Sequence, residues 1–586
     1  MTWLIKGHAR LMRLCFYSDG DEMEVKEVSF LAESLRGSAS QQVPQIVFRG
    51  KTMKEAPLST HHRENKLKVR SEHTMDRKKN VYTNPILKGD YSDPDVIRVG
   101  DDYYMVSSSF TYFPGMPLLH SRDLVHWRTV NHVCRHLPFD CYESPNHRNG
   151  TWAPSIRYHE GVFYVYVCAP DEGLFCFKTE DPLGRWDMYH VAEVAGWIDP
   201  CPFWDDDGSA YLVHAFANSR VGLKSILYLH KMSADGTQIL DHGRLVFDGG
   251  SEHVTTEGPK MYKRAEYYYI LAPAGGVATG WQLAMRSKNI YGPYELKTVL
   301  EQGETRVNGP HQGAWLDTPS GEEWFIHFQD VGPYGRIPHL QPVSFIDGWP
   351  EMGVKPAGGS VGNPVMEYFA PDTGFWDEGL LPQTSDEFDG EKLGLQWQWQ
   401  ANPKERWYSL NENPGSLRLY AHKIGKSDTL CDAGQFLSQL MQHFEFDVDV
   451  KLNFAPWADG DRAGLAMLCY EYQYIAVEKT DAGVEVAVYG GKVDRDEKGA
   501  GNPFESRLAW KALKSGSVYL RMSVRGNCFV TYSYSENGEE FLPLGEGFAA
   551  TKGGWVSAKP GIFCANFARK TGPGYCDFDY FRVTAR

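Results

Sequence analysis

One pattern constrains the fold of this chain more than any other: a turn followed by an apolar strand rich in aromatic residues, found five times. The copies are Asp101-Asp102-Tyr103-Tyr104-Met105-Val106, Gly161-Val162-Phe163-Tyr164-Val165-Tyr166, Gly208-Ser209-Ala210-Tyr211-Leu212-Val213, Glu266-Tyr267-Tyr268-Tyr269-Ile270-Leu271 and Glu322-Glu323-Trp324-Phe325-Ile326-His327. Tails such as Ser121-Arg122-Asp123-Leu124-Val125-His126-Trp127 and Asn289-Ile290-Tyr291-Gly292-Pro293-Tyr294 separate them. A repeat of roughly 40–60 residues made of short strands is the mark of a radial β array. Hardly any stretch carries helical periodicity. Residues 81–375 are therefore expected to form a five-bladed β-propeller, with the starts of the inner strands converging on its axis.

A junction around Phe375–Pro382 leads to a second block. Residues 383–586 alternate in strands such as Phe444-Glu445-Phe446-Asp447-Val448-Asp449-Val450 and Val484-Glu485-Val486-Ala487-Val488, separated by Gly, Asn and Asp turns. This reads as a jelly-roll β-sandwich, so the whole chain is expected to be all-β. Residues 1–80 are polar, end in a basic stretch and lack strong periodicity. They are expected to be a weakly ordered extension; a start codon placed too far upstream, with the true start at Met75, fits the same observation.

The net charge of −15 comes with no basic stripe, which argues against a nucleic-acid partner and suits a neutral substrate. There is no run of 18 apolar residues, so no membrane span is expected. Lys6, His8, Arg10 and Arg13 interrupt the first residues, a poor secretory signal. The 11 cysteines are odd in number and lack CxxC spacing, as in proteins with mostly reduced thiols. The expected address is the cytoplasm. Aromatic residues make up 13% of the chain, which suits both a sheet core and stacking on sugar rings.

Three acidic residues sit in tight Pro/Gly settings: Asp93 in Ser92-Asp93-Pro94, Asp199 in Ile198-Asp199-Pro200 and Glu257 in Thr256-Glu257-Gly258-Pro259. Carboxylates that converge repel one another, and one is forced to keep its proton near neutral pH. An ionised base beside a protonated acid is the requirement of glycoside hydrolysis. Asp93 is the expected general base, activating water, with Pro94 biasing it to extended backbone. Asp95 would share a strand face with it and is its natural competitor. Asp199 would tune the acid. Glu257, expected against aromatic walls that raise its pKa, is the candidate acid, with Glu252 its nearest competitor. The run Asp205-Asp206-Asp207-Gly208 is most simply a solvated hairpin turn.

These residues also carry a resemblance. Asn84-Pro85-Ile86-Leu87-Lys88-Gly89-Asp90-Tyr91-Ser92-Asp93-Pro94-Asp95, Phe113-Pro114-Gly115, Thr151-Trp152-Ala153-Pro154, Ile198-Asp199-Pro200, Glu257-Gly258-Pro259 and Gly335-Arg336-Ile337-Pro338-His339 resemble glycoside hydrolase family 43. Phe388-Asp389-Gly390, Gln396-Trp397-Gln398-Trp399 and Phe578-Asp579-Tyr580-Phe581 resemble the concanavalin A-like C-terminal domain of that family's β-xylosidases. The resemblance runs from about Asn84 to Arg586. It departs at Asp95, where the family often has Ser, and at Cys201 after Asp199-Pro200.

The resemblance implies an inverting mechanism with Asp93 as base, Glu257 as acid and Asp199 as modulator. It also implies that Phe110, Trp152 and Ala153 wall the terminal sugar's subsite, and that Arg336 reaches the sugar or fixes a carboxylate. His311 would help hold a water or cation on the axis, and is the one metal candidate there. The sandwich would be a prop or a lid rather than a carbohydrate-binding module. Asp386, Glu387, Asp577 and Asp579 are either a calcium site or ordinary turn acids. No organic cofactor is implied. The expected substrates are xylooligosaccharides, by β-D-xylosidase action, with α-L-arabinofuranosidase action on arabinoxylan fragments as the alternative. Fructan hydrolases are a distant competitor, because their Trp-Met-Asn-Asp-Pro-Asn-Gly string is absent. A non-catalytic sugar-binding propeller has no need of the acidic trio. Self-association through the sandwich would fit either reading.

Overall fold

The computed structural model describes residues 3–6, 9–13, 27–31, 80–425, 427–495 and 501–586. Within the first 79 residues, Trp3–Lys6, Ala9–Arg13 and Glu27–Leu31 pair as a small antiparallel sheet. The expectations of a weakly ordered extension and of a start at Met75 otherwise fall outside the described residues.

Five four-stranded antiparallel sheets follow in chain order. Their innermost strands are Asp95–Val99, Trp152–His159, Trp197–Trp204, Lys260–Arg264 and His311–Asp317. The five aromatic repeats form the second strand of each sheet: Asp102–Val106, Val162–Ala169, Ala210–Phe216, Tyr267–Ala274 and Glu323–Asp330. These second strands face a neighbouring blade on both sides, which is why their sequences are almost continuously apolar.

Each interface between blades has its own apolar cluster. Val106 meets Ile156 and Val165 between the first two blades, and Tyr166 meets Leu212 between the second and third. Val213 meets Ile270, Leu271 meets Phe325, and Met105 meets Ile326 across the closing seam. Burying each large aliphatic side chain contributes about 1.5–3 kcal/mol, so the ring is held together by side chains rather than by a continuous sheet. Its ends are tied by Val81–Thr83 pairing with Glu367–Phe369. The Asn84 amide adds to this by donating to the carbonyls of Leu340 and Val365, both at 2.8 Å.

The C-terminal part is a sandwich of two eight-stranded sheets. One contains Asp461–Leu468, Glu471–Thr480 and Lys559–Asn566; the other contains Phe446–Ala455, Ser517–Arg525 and Tyr575–Ala585. Alternate residues such as Val448, Val450, Leu452, Leu520 and Met522 fill the space between them. The sandwich docks on the propeller by backbone pairing of Phe113 with Trp399 (2.9 and 2.6 Å). The Asn402 side chain also bonds both polar backbone groups of Leu137. Among the described residues no helix is long and apolar enough to cross a membrane.

Candidate active site

Five residues at the start of the inner strands share an unusual backbone. Asp93, Ala153, Asp199, Gly258 and Gln312 have φ of 54, 37, 56, 59 and 43°. The first four precede Pro94, Pro154, Pro200 and Pro259; the fifth precedes Gly313. In the second, third and fifth blades the ladder register shifts at this point, a β-bulge that turns the chain toward the axis. The extended backbone expected for Asp93 is therefore not what the structure shows. Aspartate tolerates the left-handed region at a cost of about 1–2 kcal/mol, and three donors hold its carboxylate in place.

Those donors are fully specified. Ser108 Oγ accepts the Ala153 N–H (2.7 Å) and donates to Asp93 Oδ2 (2.6 Å). Ser92 Oγ accepts from Arg336 Nη1 (3.0 Å) and donates to Asp93 Oδ2 (2.9 Å). Arg336 Nη1 itself lies 3.1 Å from Asp93 Oδ1. Every bond runs toward the carboxylate, the pattern of an acceptor-only group. Asp95, the competitor, faces elsewhere: it accepts from the Ile156 N–H (2.8 Å) and from Arg157 (2.6 Å). Glu252 is exposed.

Asp199 is buried and accepts the Gly258 N–H at 2.7 Å. Burial, then the charges of Glu257 and Asp93, push its carboxyl up to about 8, opposed by the Lys260 ammonium and the Gly258 N–H. The fully buried Lys260 donates to Ser155 Oγ at 2.8 Å beneath the site. Glu257 is the most accessible of the three acids, with 28% of its side chain exposed, and its Oε1 is 3.1 Å from His311 Nε2.

Asp93, Asp199 and Glu257 line one cavity of about 300 Å³, together with Phe110, Trp152, Ala153 and Arg336. His311 stands behind Glu257, outside that lining, and its place on the wall is taken by Gln312. Gln312, Thr255 and Trp555 are lining residues that the sequence reading does not single out. Trp555 comes from the sandwich and meets Trp152 edge to face, with ring centroids 4.6 Å apart. The Arg148 guanidinium lies over its ring at 4.4 Å. Its only local signal is an aromatic residue in the polar turn Gly553-Gly554-Trp555.

The four acids weighed as a calcium site or as turn acids do not gather among the described residues. Glu387 pairs with Arg582, Asp577 with Arg418 and Asp579 with Lys451, while Asp386 accepts from the Trp397 indole N–H (2.8 Å). Each carboxylate is occupied by its own donors, which is the turn-acid alternative.

Comparison with known proteins agrees with this architecture. Residues 82–350 match the family described as glycosyl hydrolases family 43. Residues 385–584 match the β-xylosidase C-terminal concanavalin A-like domain. A β-xylosidase of Formosa agariphila is 32% identical over 86% of this chain and 90% of its own length. A non-reducing-end α-L-arabinofuranosidase of Bacteroides ovatus is 32% identical over 66% of this chain and 73% of its own. The solved xylan β-1,4-xylosidase of Bacillus halodurans superposes with a TM-score of 0.74 at 26% identity, covering 86% of this chain and 99% of that one. With a bladed ring, three acids on one cavity and both sequence matches in place, the chain belongs to glycosyl hydrolase family 43 and is a glycoside hydrolase.

Proposed function

We propose that this enzyme is an exo-acting, inverting β-D-xylosidase that releases the terminal non-reducing xylose of short xylooligosaccharides. The observation that carries the reading is the single cavity, about 300 Å³ in volume, in which all three acids meet two tryptophans and a phenylalanine. That volume is at the small end of ligand pockets and suits a terminal sugar rather than a chain passing through. Asp93 takes a proton from a water whose oxygen attacks the anomeric carbon. The glycosidic C–O bond breaks, and Glu257 gives its proton to the departing oxygen. Arg336 holds Asp93 in place, and Asp199 keeps the proton inventory of the cluster high, since coupled carboxyls share their protons. Acid, base and water suffice for this chemistry, and no organic cofactor enters it.

The similarity to a Bacteroides ovatus arabinofuranosidase supports a second reading, α-L-arabinofuranosidase action on arabinoxylan fragments. Initial rates on 4-nitrophenyl β-D-xylopyranoside and α-L-arabinofuranoside distinguish the two. Xyloside hydrolysis that dominates, and that disappears in Asp93→Ala, is the expected result. Dominance of the arabinoside replaces the first reading with the second. Binding without turnover in the parent enzyme points instead to a sugar-binding propeller. Proton NMR of the first-formed anomer tests inversion, with α-xylose expected from the β-xyloside.

A further inference from the structure

Far from the carboxylate cluster in chemistry, the seam between propeller and sandwich brings together three donors of a different kind. His147 lies on the loop that leads into the second blade, and Cys431 and Asp432 lie in a 3-10 turn of the sandwich. One ligand atom from each falls within 4.8 Å of the other two. We propose that His147, Cys431 and Asp432 form a binding site for a divalent transition cation of the zinc type, completed by water.

The donor set selects the metal. Imidazole with thiolate suits zinc and its neighbours, whereas calcium and magnesium take oxygen ligands. The spacing fits as well. Metal–nitrogen and metal–sulfur bonds of about 2.05 and 2.3 Å at a tetrahedral angle put N and S about 3.6 Å apart; His147 Nε2 lies 3.4 Å from Cys431 Sγ and 2.9 Å from the Cys431 carbonyl oxygen, a hydrogen bond that the metal would displace. His147 and Cys431 line a small space of about 20 Å³, on the order of one water or one ion. Asp432 lines a neighbouring cavity of about 390 Å³, which gives a way in. Lys404, Arg406 and Lys423 on that cavity oppose a cation held by neutral ligands; a thiolate and a carboxylate offset the metal's two charges. Bonds from beyond the ligands also orient the turn: Gln400 Nε2 donates to the Cys431 carbonyl (2.9 Å) and the Ser427 N–H to Asp432 Oδ2 (3.2 Å).

The site would pin the sandwich to the loop that carries Arg148, whose guanidinium lies over the cavity residue Trp555, and that leads into Trp152 on the cavity wall. The experiment uses the full chain, stripped with chelator and dialysed against Zn²⁺ or Co²⁺. One metal per chain is expected, with a thiolate-to-cobalt charge-transfer band in the Co²⁺ form and a raised melting temperature in the Zn²⁺ form. Cys431→Ser should lose the band, and His147→Ala should bind at least ~10-fold more weakly. The proposal is overturned if the parent chain binds no stoichiometric metal. It is equally overturned by a cobalt spectrum without the thiolate band, or by equal affinity in parent and variants. The first two of these results need no variant to fold, and none depends on glycosidase activity.

Discussion

At Asp93 and Glu257 the base and acid roles predict different responses to the leaving group. General acid–base catalysis is worth about 10²–10⁴-fold. Asp93→Ala should lose that factor on every substrate, because the water always needs a base. Glu257→Ala should lose it on xylobiose but much less on the 4-nitrophenyl xyloside, whose leaving group departs without a proton; kcat/KM on the two substrates checks this. Asp199 predicts a pH effect on stability. Its carboxyl is pushed from 3.8 to about 8 on folding, chiefly by burial. The folded state therefore binds this proton more tightly than the unfolded chain does. The resulting stabilisation is complete below about pH 4 and is lost as pH rises through about 8. Asp199→Asn carries no such loss, so its melting temperature relative to the parent should climb between pH 5 and pH 9, read by thermal scans at each pH. A flat difference would mean that Asp199 does not hold the proton.

The strand-start bulge is the element that builds the site. Five inner strands begin alike, and blades differ in what they place at or beside the left-handed position: Asp93, Ala153, Asp199, Glu257 before Gly258, and Gln312. Three of these starts are legible in the sequence because a carboxylate sits beside Pro or Gly. Ala153-Pro154 has the same signature without a charge, and Gln312-Gly313 has only part of it, so neither reads as the same element. The Trp555 turn is the second element to matter. Aromatic pairs such as Trp152–Trp555 contribute about 0.5–1.5 kcal/mol beyond burial. Trp555→Ala should raise KM for xylooligosaccharides about tenfold, the equivalent of ~1.4 kcal/mol, with kcat changed far less; Trp555→Phe should recover most of it. An unchanged KM in Trp555→Ala would remove the sandwich from substrate binding.

Across the whole molecule, one buried acid joins the two domains at the catalytic cavity. Asp90 Oδ1 accepts the Arg336 N–H (2.8 Å) and Oδ2 the Ser557 N–H (2.6 Å), two residues from Trp555. Gly335 makes this approach available, since a Cβ there would lie 2.4 Å from the Asp90 carboxyl carbon. Burial pushes the Asp90 carboxyl up, and the Lys559 ammonium and the backbone donors oppose it. Asp90→Ala leaves the buried Ser557 N–H and the part-buried Arg336 N–H without their acceptor, at about 1–3 kcal/mol for the buried one. It should lower the melting temperature and also kcat, because Arg336 holds Asp93. A variant that melts early yet keeps full kcat at low temperature would confine Asp90 to stability.

The sequence by itself determined the ring of five blades, the sandwich after it and the acidic trio. Strand alternation, turn residues and the Pro/Gly settings of Asp93, Asp199 and Glu257 are local features, written in neighbouring residues. Tertiary structure decided what those residues meet. Trp555 reaches Trp152 from some 400 positions away, and Asp90 reaches Ser557 from a similar distance. Such contacts are made by docking one buried surface on another, which no local period encodes. The same is true of Asp95: only the packing of the second blade turns it toward Arg157 and leaves Asp93, of the two, on the cavity.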